Sequence, residues 1–430
     1  MTASDVGYDR IHPWVKRVLG ATHATVVVTI TWAVLCLLLA QQATPAALAR
    51  ALPAEQAGSG RSCLRRVRRW WEGPPLDQTI ISRQLVEQAL ACLPAGAPVR
   101  VALDTTRLGQ WEVWLAGVVV AGRTLPIGWA VIPYPWPKGR FRATTLALLA
   151  QLQAAFPPGV RWTLVADRGF PSAALFAQLR QGGTDWSVRL RLSDWVTVAG
   201  VYATVIDHLE AGRLGVGQRT AASIGRGTPD LPLVPAWVVV TAAVATPPTH
   251  KQNPGTARER AKRAKAHAQR RQHKRGRKTK PPSAAAQKYA QTWVLFTTAP
   301  TVAQAVADYT SRMSIEETFR DWHHHWAVRA AVVDLPTEAM VERLIGVVCL
   351  AYTLQLQLGQ RLSADPVGQQ RRAQWTVSDR VSWFWCGQRL FDDPGYDWRG
   401  WLAQQWASLG QPVGAVPATL GPEPAWADAA

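Results

Sequence analysis

A chain of 430 residues with 48% hydrophobic content can bury real cores in about two or three domains, which excludes a wholly disordered protein. Its formal net charge of +19 is high for a metabolic enzyme and points to a polyanionic partner, nucleic acid ahead of an anionic membrane surface. Cys36, Cys63, Cys92, Cys349 and Cys386 are odd in number and form no C-x-x-C pair, which argues against structural zinc and a disulfide framework and fits a reducing cytosol.

Residues 1–98 read as a helical, DNA-binding region. Within them Ala24–Ala40 is a run of 17 uncharged residues, at the lower edge of bilayer-spanning length. The run starts too deep for a signal peptide, lacks a basic flank and contains three threonines, so a buried helix is the better reading and no membrane contact is expected. Thr44 and Pro45 then supply a cap and a first-position proline for a second helix, a helix-turn-helix-like arrangement. Residues 61–69 hold five arginines and precede Trp70 and Trp71. Arg65, Arg66, Arg68 and Arg69 are candidates for lying along phosphates, with a solvated basic face over buried tryptophans as the plain alternative.

From residue 99 the pattern turns from helical to strand-like. Residues 99–104 (VRVALD), 111–120 (WEVWLAGVVV) and 124–132 (TLPIGWAVI) are β-rich runs with short links, as in an antiparallel meander. A helix at 144–156, a strand at 161–166, a helix at 172–180 and a strand at 186–192 follow. Three antiparallel strands and then helix, strand, helix, strand is the order of a ribonuclease-H-like α/β core. A β-rich insertion, residues 193–289, interrupts it, with strands expected at 196–206 and 236–245. Within it, 250–280 holds thirteen Lys or Arg against the single acid Glu259, about +12 of the net +19. This arm is read as a backbone-attracting segment, Lys274, Arg275, Arg277 and Lys278 among its cations. The core resumes over 290–360 with a strand at 293–298 and a helix opened by Thr301 and Gln304 as a capping box. Residues 361–430 are read as a C-terminal helical region and tail.

The helix that follows carries Y-T-S-R-M-S-I-E-E-T-F-R-D-W-H-H-H over 309–325. At 3.6 residues per turn, Ile315, Phe319, Trp322 and Trp326 form an apolar stripe, and Tyr309, Arg312, Glu316 and His323 line its edge. Glu317 falls on the solvent side, or caps a second helix start at Ser314 if the helix breaks near Met313. Asp104 and Asp167 each follow a hydrophobic run, where a strand end sets a carboxylate at a sheet rim. Asp104, Asp167 and Glu316 make an all-oxygen set suited to magnesium. A turn-forming role is the plain alternative for each aspartate taken alone. Consecutive helical residues point 100° apart, so the histidine triplet does not converge on one ion.

Asp104 in L-D-T-T, Asp167 in A-D-R-G-F and Tyr309-x2-Arg312-x3-Glu316 resemble the DDE transposases of bacterial insertion sequences, in the group with a Y-x2-R-x3-E-x6-K pattern. The resemblance covers roughly residues 20–360, insertion included. It implies a ribonuclease-H-like core using two Mg²⁺ or Mn²⁺ ions on Asp104, Asp167 and Glu316. Such enzymes cut a strand at the element's end to free a 3′-hydroxyl, which then attacks target DNA. It further implies terminal inverted repeats and target DNA as double-stranded partners, a homodimer on DNA, and action in the bacterial cytoplasm at the nucleoid. Tyr309 and Arg312 match positions that hold DNA. The pattern departs at its end, where His323 stands in place of lysine; Arg320, one turn earlier, is a substitute. Two other readings fit the same residues: a catalytically impaired DNA-binding protein derived from a transposase, and a two-metal nuclease without strand transfer. Insertion aromatics, Trp293 among them, are read as core, with base stacking as what the resemblance adds.

Overall fold

The computed structural model describes residues 3–20, 22–53, 59–228, 232–243, 289, 292–375, 382–392 and 401. The basic arm at 250–280, with Lys274, Arg275, Arg277 and Lys278, and the expected tail lie outside the described residues. Five helices come first: α1 (Ala3–Leu19), α2 (Ala24–Ala40), α3 (Pro45–Ala51), α4 (Gly60–Trp71) and α5 (Gln78–Ala91). The uncharged run is α2, and its Val34, Cys36 and Leu38 are fully buried against neighbouring helices. Thr44 caps α3 by accepting the Ala47 N–H, and α2 and α3 meet at 95°. That angle falls in the helix-turn-helix range. In α4 the face of Cys63, Val67, Trp70 and Trp71 is buried, whereas Arg65, Arg66, Arg68 and Arg69 are exposed.

The strands are β1 (Val99–Leu108), β2 (Trp111–Val120) and β3 (Arg123–Pro133), then β4 (Trp162–Ala166) and β5 (Asp185–Arg189). Helices α6 (Arg140–Ala155) and α7 (Ala173–Gln181) flank β4. Three antiparallel strands followed by helix, strand, helix, strand is thus the observed order, with β1, β4 and β5 parallel to one another. The insertion supplies β6 (Trp195–Val198), β7 (Val201–Thr204), α8 (Val205–Glu210), β8 (Arg219–Ile224) and β9 (Val234–Ala243), and β10 is Thr292–Thr297. Among the described residues these strands form one ten-stranded sheet in the order β3-β2-β1-β4-β5-β10-β9-β8-β6-β7. The single strand expected at 196–206 is instead a hairpin followed by a helix. Ala199 and Gly200 both take positive φ (51° and 79°), which suits a tight turn whose twist matches paired strands.

After β10 the chain forms α9 (Val302–Ser311), α10 (Met313–Arg320), a π-helical turn (Asp321–His325), α11 (Val328–Ala331), α12 (Glu338–Ala364), α13 (Pro366–Trp375) and α14 (Trp383–Asp392). Thr301 caps α9, yet Gln304 turns to Asp308 Oδ1 at 2.7 Å and does not complete a capping box. Helix α12 is long and apolar enough to cross a membrane, and 83% of its most apolar window is buried inside the protein. All five cysteines are buried and none is in a disulfide.

Candidate active site at the edge of the central sheet

The β1–β4 ladder brings the two aspartates together. Its last paired residues are Leu103 and Ala166, so Asp104 and Asp167 are the next residues on adjacent parallel strands. Asp104 is not the end of β1, as the sequence suggested: Thr105 to Leu108 continue the strand by pairing with β2. What ends at Asp104 is the contact with β4, because β4 stops at Ala166 and the chain turns through Asp-Arg-Gly-Phe. One side of β1 is thereby left open at a carboxylate, while the other side holds it rigid.

Helices α9 and α10 cross this edge. The helix breaks at Arg312, and α10 restarts at Met313 without a side-chain cap, so the expected Ser314–Glu317 capping box is absent. Glu317 bonds Arg320 at 2.6 Å, and with 31% side-chain exposure it is more covered than Glu316 at 45%, which corrects its placement on the solvent side. Arg320 is spent on this exposed pair and does not join the aspartates.

Tyr309, Arg312 and Glu316 do converge on them. The Tyr309 hydroxyl donates to Asp167 Oδ1 at 3.0 Å. The Arg312 fork donates through Nη1 to Asp104 Oδ2 at 2.7 Å and through Nη2 to Glu316 Oε1 at 2.6 Å. Both Tyr309 and Arg312 are buried, and Arg312 Nε has no hydrogen-bond partner among the described residues. His323 is half-buried in the π-helical turn and shares a 2.9 Å hydrogen bond between its Nε2 and the Thr106 hydroxyl, two residues beyond Asp104. The apolar stripe also holds, since Ile315, Phe319, Trp322 and Trp326 are all buried. Trp293 packs edge-on to Tyr309, with ring centroids 4.9 Å apart.

Residues 141–354 match the family model of the transposase DDE domain. The chain belongs to the DDE transposases. The match spans Asp167, Tyr309, Arg312 and Glu316, and Asp104 lies ahead of it. No curated protein matches the chain.

The transposase's two aspartates sit in different fields. Burial pushes Asp104 up to about 6, aided by the nearby charges of Asp167 and Glu316, and this outweighs the Arg312 ion pair and the Thr105 N–H. Burial acts in the same direction on Asp167. There it is outweighed by the Arg168 N–H, Arg312, the Tyr309 hydroxyl and Arg189, so Asp167 lies below the usual carboxylate value. Burial also pushes Tyr309 up to about 12, which keeps it a donor at neutral pH. The three neighbouring acidic groups and Tyr309 together hold Arg312 above its ordinary value despite its burial. His323 is lowered from 6.5 by burial, then by His324 and Arg329, so its ring is neutral at pH 7.

Sequence reasoning missed Arg189, at the end of β5, whose Nη1 lies 3.9 Å from Asp167 Oδ1. Its only sequence signal is a cation closing a buried strand beside the one that ends at Asp167. A hard divalent cation suits the all-oxygen donor set of Asp104, Asp167 and Glu316. In this arrangement, however, the Arg312 guanidinium lies between Asp104 and Glu316. Among the described residues no group of three His, Cys, Asp or Glu side chains converges as ligands would.

Proposed function

We propose that the chain is an insertion-sequence transposase that cuts and joins DNA at element ends, on a ribonuclease-H-like core. The observation that carries this reading is the β1–β4 register, which sets Asp104 beside Asp167 under the Tyr309–Arg312–Glu316 helix pair. The strand order β3-β2-β1-β4-β5 supports the core assignment. Asp104, Asp167 and Glu316 would hold two Mg²⁺ or Mn²⁺ ions, with Glu316 exchanging its bond to Arg312 for a bond to a cation. When bound, these ions supply activation of an oxygen nucleophile and stabilisation of the leaving oxygen.

The chain's own part is positioning. Arg312 is a buried, fixed cation whose Nη2 would turn to a phosphate once Glu316 exchanges it for a cation, and Tyr309 orients Asp167 through its hydroxyl. The exposed arginines of α4 and the 250–280 arm attract duplex phosphates, and the active form is a homodimer on paired inverted repeats in the bacterial cytoplasm. Incubation with DNA carrying the inverted repeats that flank the gene, plus Mg²⁺, tests the reading. Cleavage and joined products are expected from the parent, and loss of both from Asp167→Ala and Glu316→Gln. Equal cleavage by those variants would sink it, and cleavage without joining would leave a nuclease. One observation favours a second reading, a DNA binder that no longer cuts: His323, where the family pattern has lysine, is neutral at pH 7.

A further inference from the structure

The edge of the sheet that carries Asp104 holds a second group of side chains, on the face away from Glu316. Side chains alternate along a strand, so Asp104 and Thr106 face α10 while Arg107 projects from the opposite face. The Arg107 guanidinium lies 3.6 Å from the centroid of the Tyr134 ring. From Tyr134 an unbroken line of rings leads inward: Tyr134 to Trp136 at 5.1 Å, Trp136 to Phe141 at 5.2 Å, and Phe141 to Phe170 at 5.6 Å. Phe170 closes the turn after Asp167, its N–H donating to the Asp167 carbonyl at 3.1 Å. The line therefore runs from the turn that holds the Asp167 carboxylate and comes nearest the surface at Trp136.

Cover falls off along that line. Phe170 is buried and Phe141 half-buried, whereas Trp136 is 37% exposed. On the same loops Arg107, Lys138, Arg142 and Arg168 are exposed; the acids nearest in the fold are Glu112, which is buried opposite Arg107 in the β1–β2 ladder, and Glu338, which is taken up by Arg140 at 2.6 Å. Packing accounts for Tyr134 and Phe141, which are partly covered. It does not account for a partly exposed indole on a loop that also carries exposed cations. Intact duplex DNA presents phosphates and hides its base faces, whereas an unpaired base offers a π-face with a phosphate on either side. Aromatic platforms between cations are the surfaces that take up such strands, largely without regard to sequence.

We infer that Arg107, Tyr134, Trp136 and Lys138 form a platform for single-stranded DNA at the cut site, with a base stacked on Trp136 and its flanking phosphates held by Arg107 and Lys138. This rests on the DNA reading of the carboxylate edge. Two fluorescein-labelled probes test it on the full chain without divalent cation: a random-sequence blunt duplex, and the same duplex with an unpaired tail. By anisotropy the parent should bind the tailed probe about tenfold more tightly than the blunt one. Trp136→Ala should abolish that preference and keep the blunt-duplex affinity, whereas Trp136→Tyr should retain it. Lys138→Glu, at an exposed loop position, should weaken the tailed probe more than the blunt one, and it serves should Trp136→Ala fail to melt cooperatively. A 2-aminopurine in the tail should be quenched by the parent and not by Trp136→Ala. Absence of a preference in the parent, or a preference and quenching that survive Trp136→Ala, overturns the platform. Failure of the parent to bind either probe overturns the DNA reading itself.

Discussion

Arg312 donates to Asp104 Oδ2 at 2.7 Å while the same fork holds Glu316, so one guanidinium supplies the positive charge between two of the three acidic groups at this edge. Arg312→Gln removes that charge and leaves both carboxylates facing each other. Truncating one member of a fully buried pair costs about 3–5 kcal/mol. Glu316 is 45% exposed, so the expected cost here is nearer 2 kcal/mol in cation-free protein. Mg²⁺ should raise the melting temperature of Arg312→Gln by more than that of the parent, because a cation replaces the missing charge. Equal Mg²⁺ shifts in both proteins would show that no cation enters between Asp104 and Glu316.

His323 gives a pH dependence of definite sign. Thr106 faces it from β1, and His324 and Arg329 supply the nearby positive charge. Its folded value lies below 6.5, so near pH 6 the unfolded chain binds more protons than the folded one. Stability from this residue is therefore present above about pH 6.5 and is lost as pH falls through the lowered value. A DNA phosphate at the ring reverses the preference and draws a proton in. DNA affinity should then rise as pH falls from 7.5 to about 5.5, and His323→Gln should flatten that rise when anisotropy is followed across the range. A profile identical in parent and His323→Gln would place the phosphate elsewhere.

His323→Lys is a separate matter of charge at neutral pH. A fixed ammonium beside Thr106 should strengthen end binding at pH 7 by about three- to tenfold, with the gain shrinking at high salt. If the parent cuts poorly and His323→Lys cuts well, the native histidine sets the low rate. If neither cuts, the impaired-binder reading gains its support from an enzymatic measurement.

Much of the site was legible because its spacing is local. Tyr309, Arg312 and Glu316 are three and four residues apart, and neighbours at those intervals share a helix face whether or not the helix pauses at Arg312. The apolar stripe was equally legible. The position of His323 on Thr106 was not, since a π-helical turn at 321–325 adds a residue that periodicity alone cannot foresee. Pairings between distant segments were also hidden. Nothing in the composition of β10 says that it lies between β5 and β9, joining the insertion to the core as one sheet. Arg189 reaches the edge through such a pairing, β5 on β4, so it carried no recognisable spacing. The hairpin at Ala199–Gly200 was missed because β-rich residues flank it on both sides.

Behind the π-helical turn, Asp321 Oδ2 accepts from Arg123 Nε at 2.8 Å and from the Tyr352 hydroxyl at 2.7 Å, tying β3 and α12 to the turn that carries His323. The side chains of Arg123 and Asp321 are 17% and 3% exposed, so Asp321→Asn strands a cation in a poorly solvated place. Such a change costs about 3 kcal/mol, whereas Tyr352→Phe removes one hydrogen bond to a charged group and costs about 1.5 kcal/mol. Chemical denaturation should give these values in that order. Replacing Arg123 by Met in the Asp321→Asn background should recover part of the loss, because no buried charge is then left unpaired. The turn itself supplies the stronger check. If the Asp321 link positions His323, Asp321→Asn should also flatten the pH dependence of DNA affinity, in protein that circular dichroism shows to be folded. If stability falls and the pH profile stays, the cluster holds the fold together and does not hold the histidine.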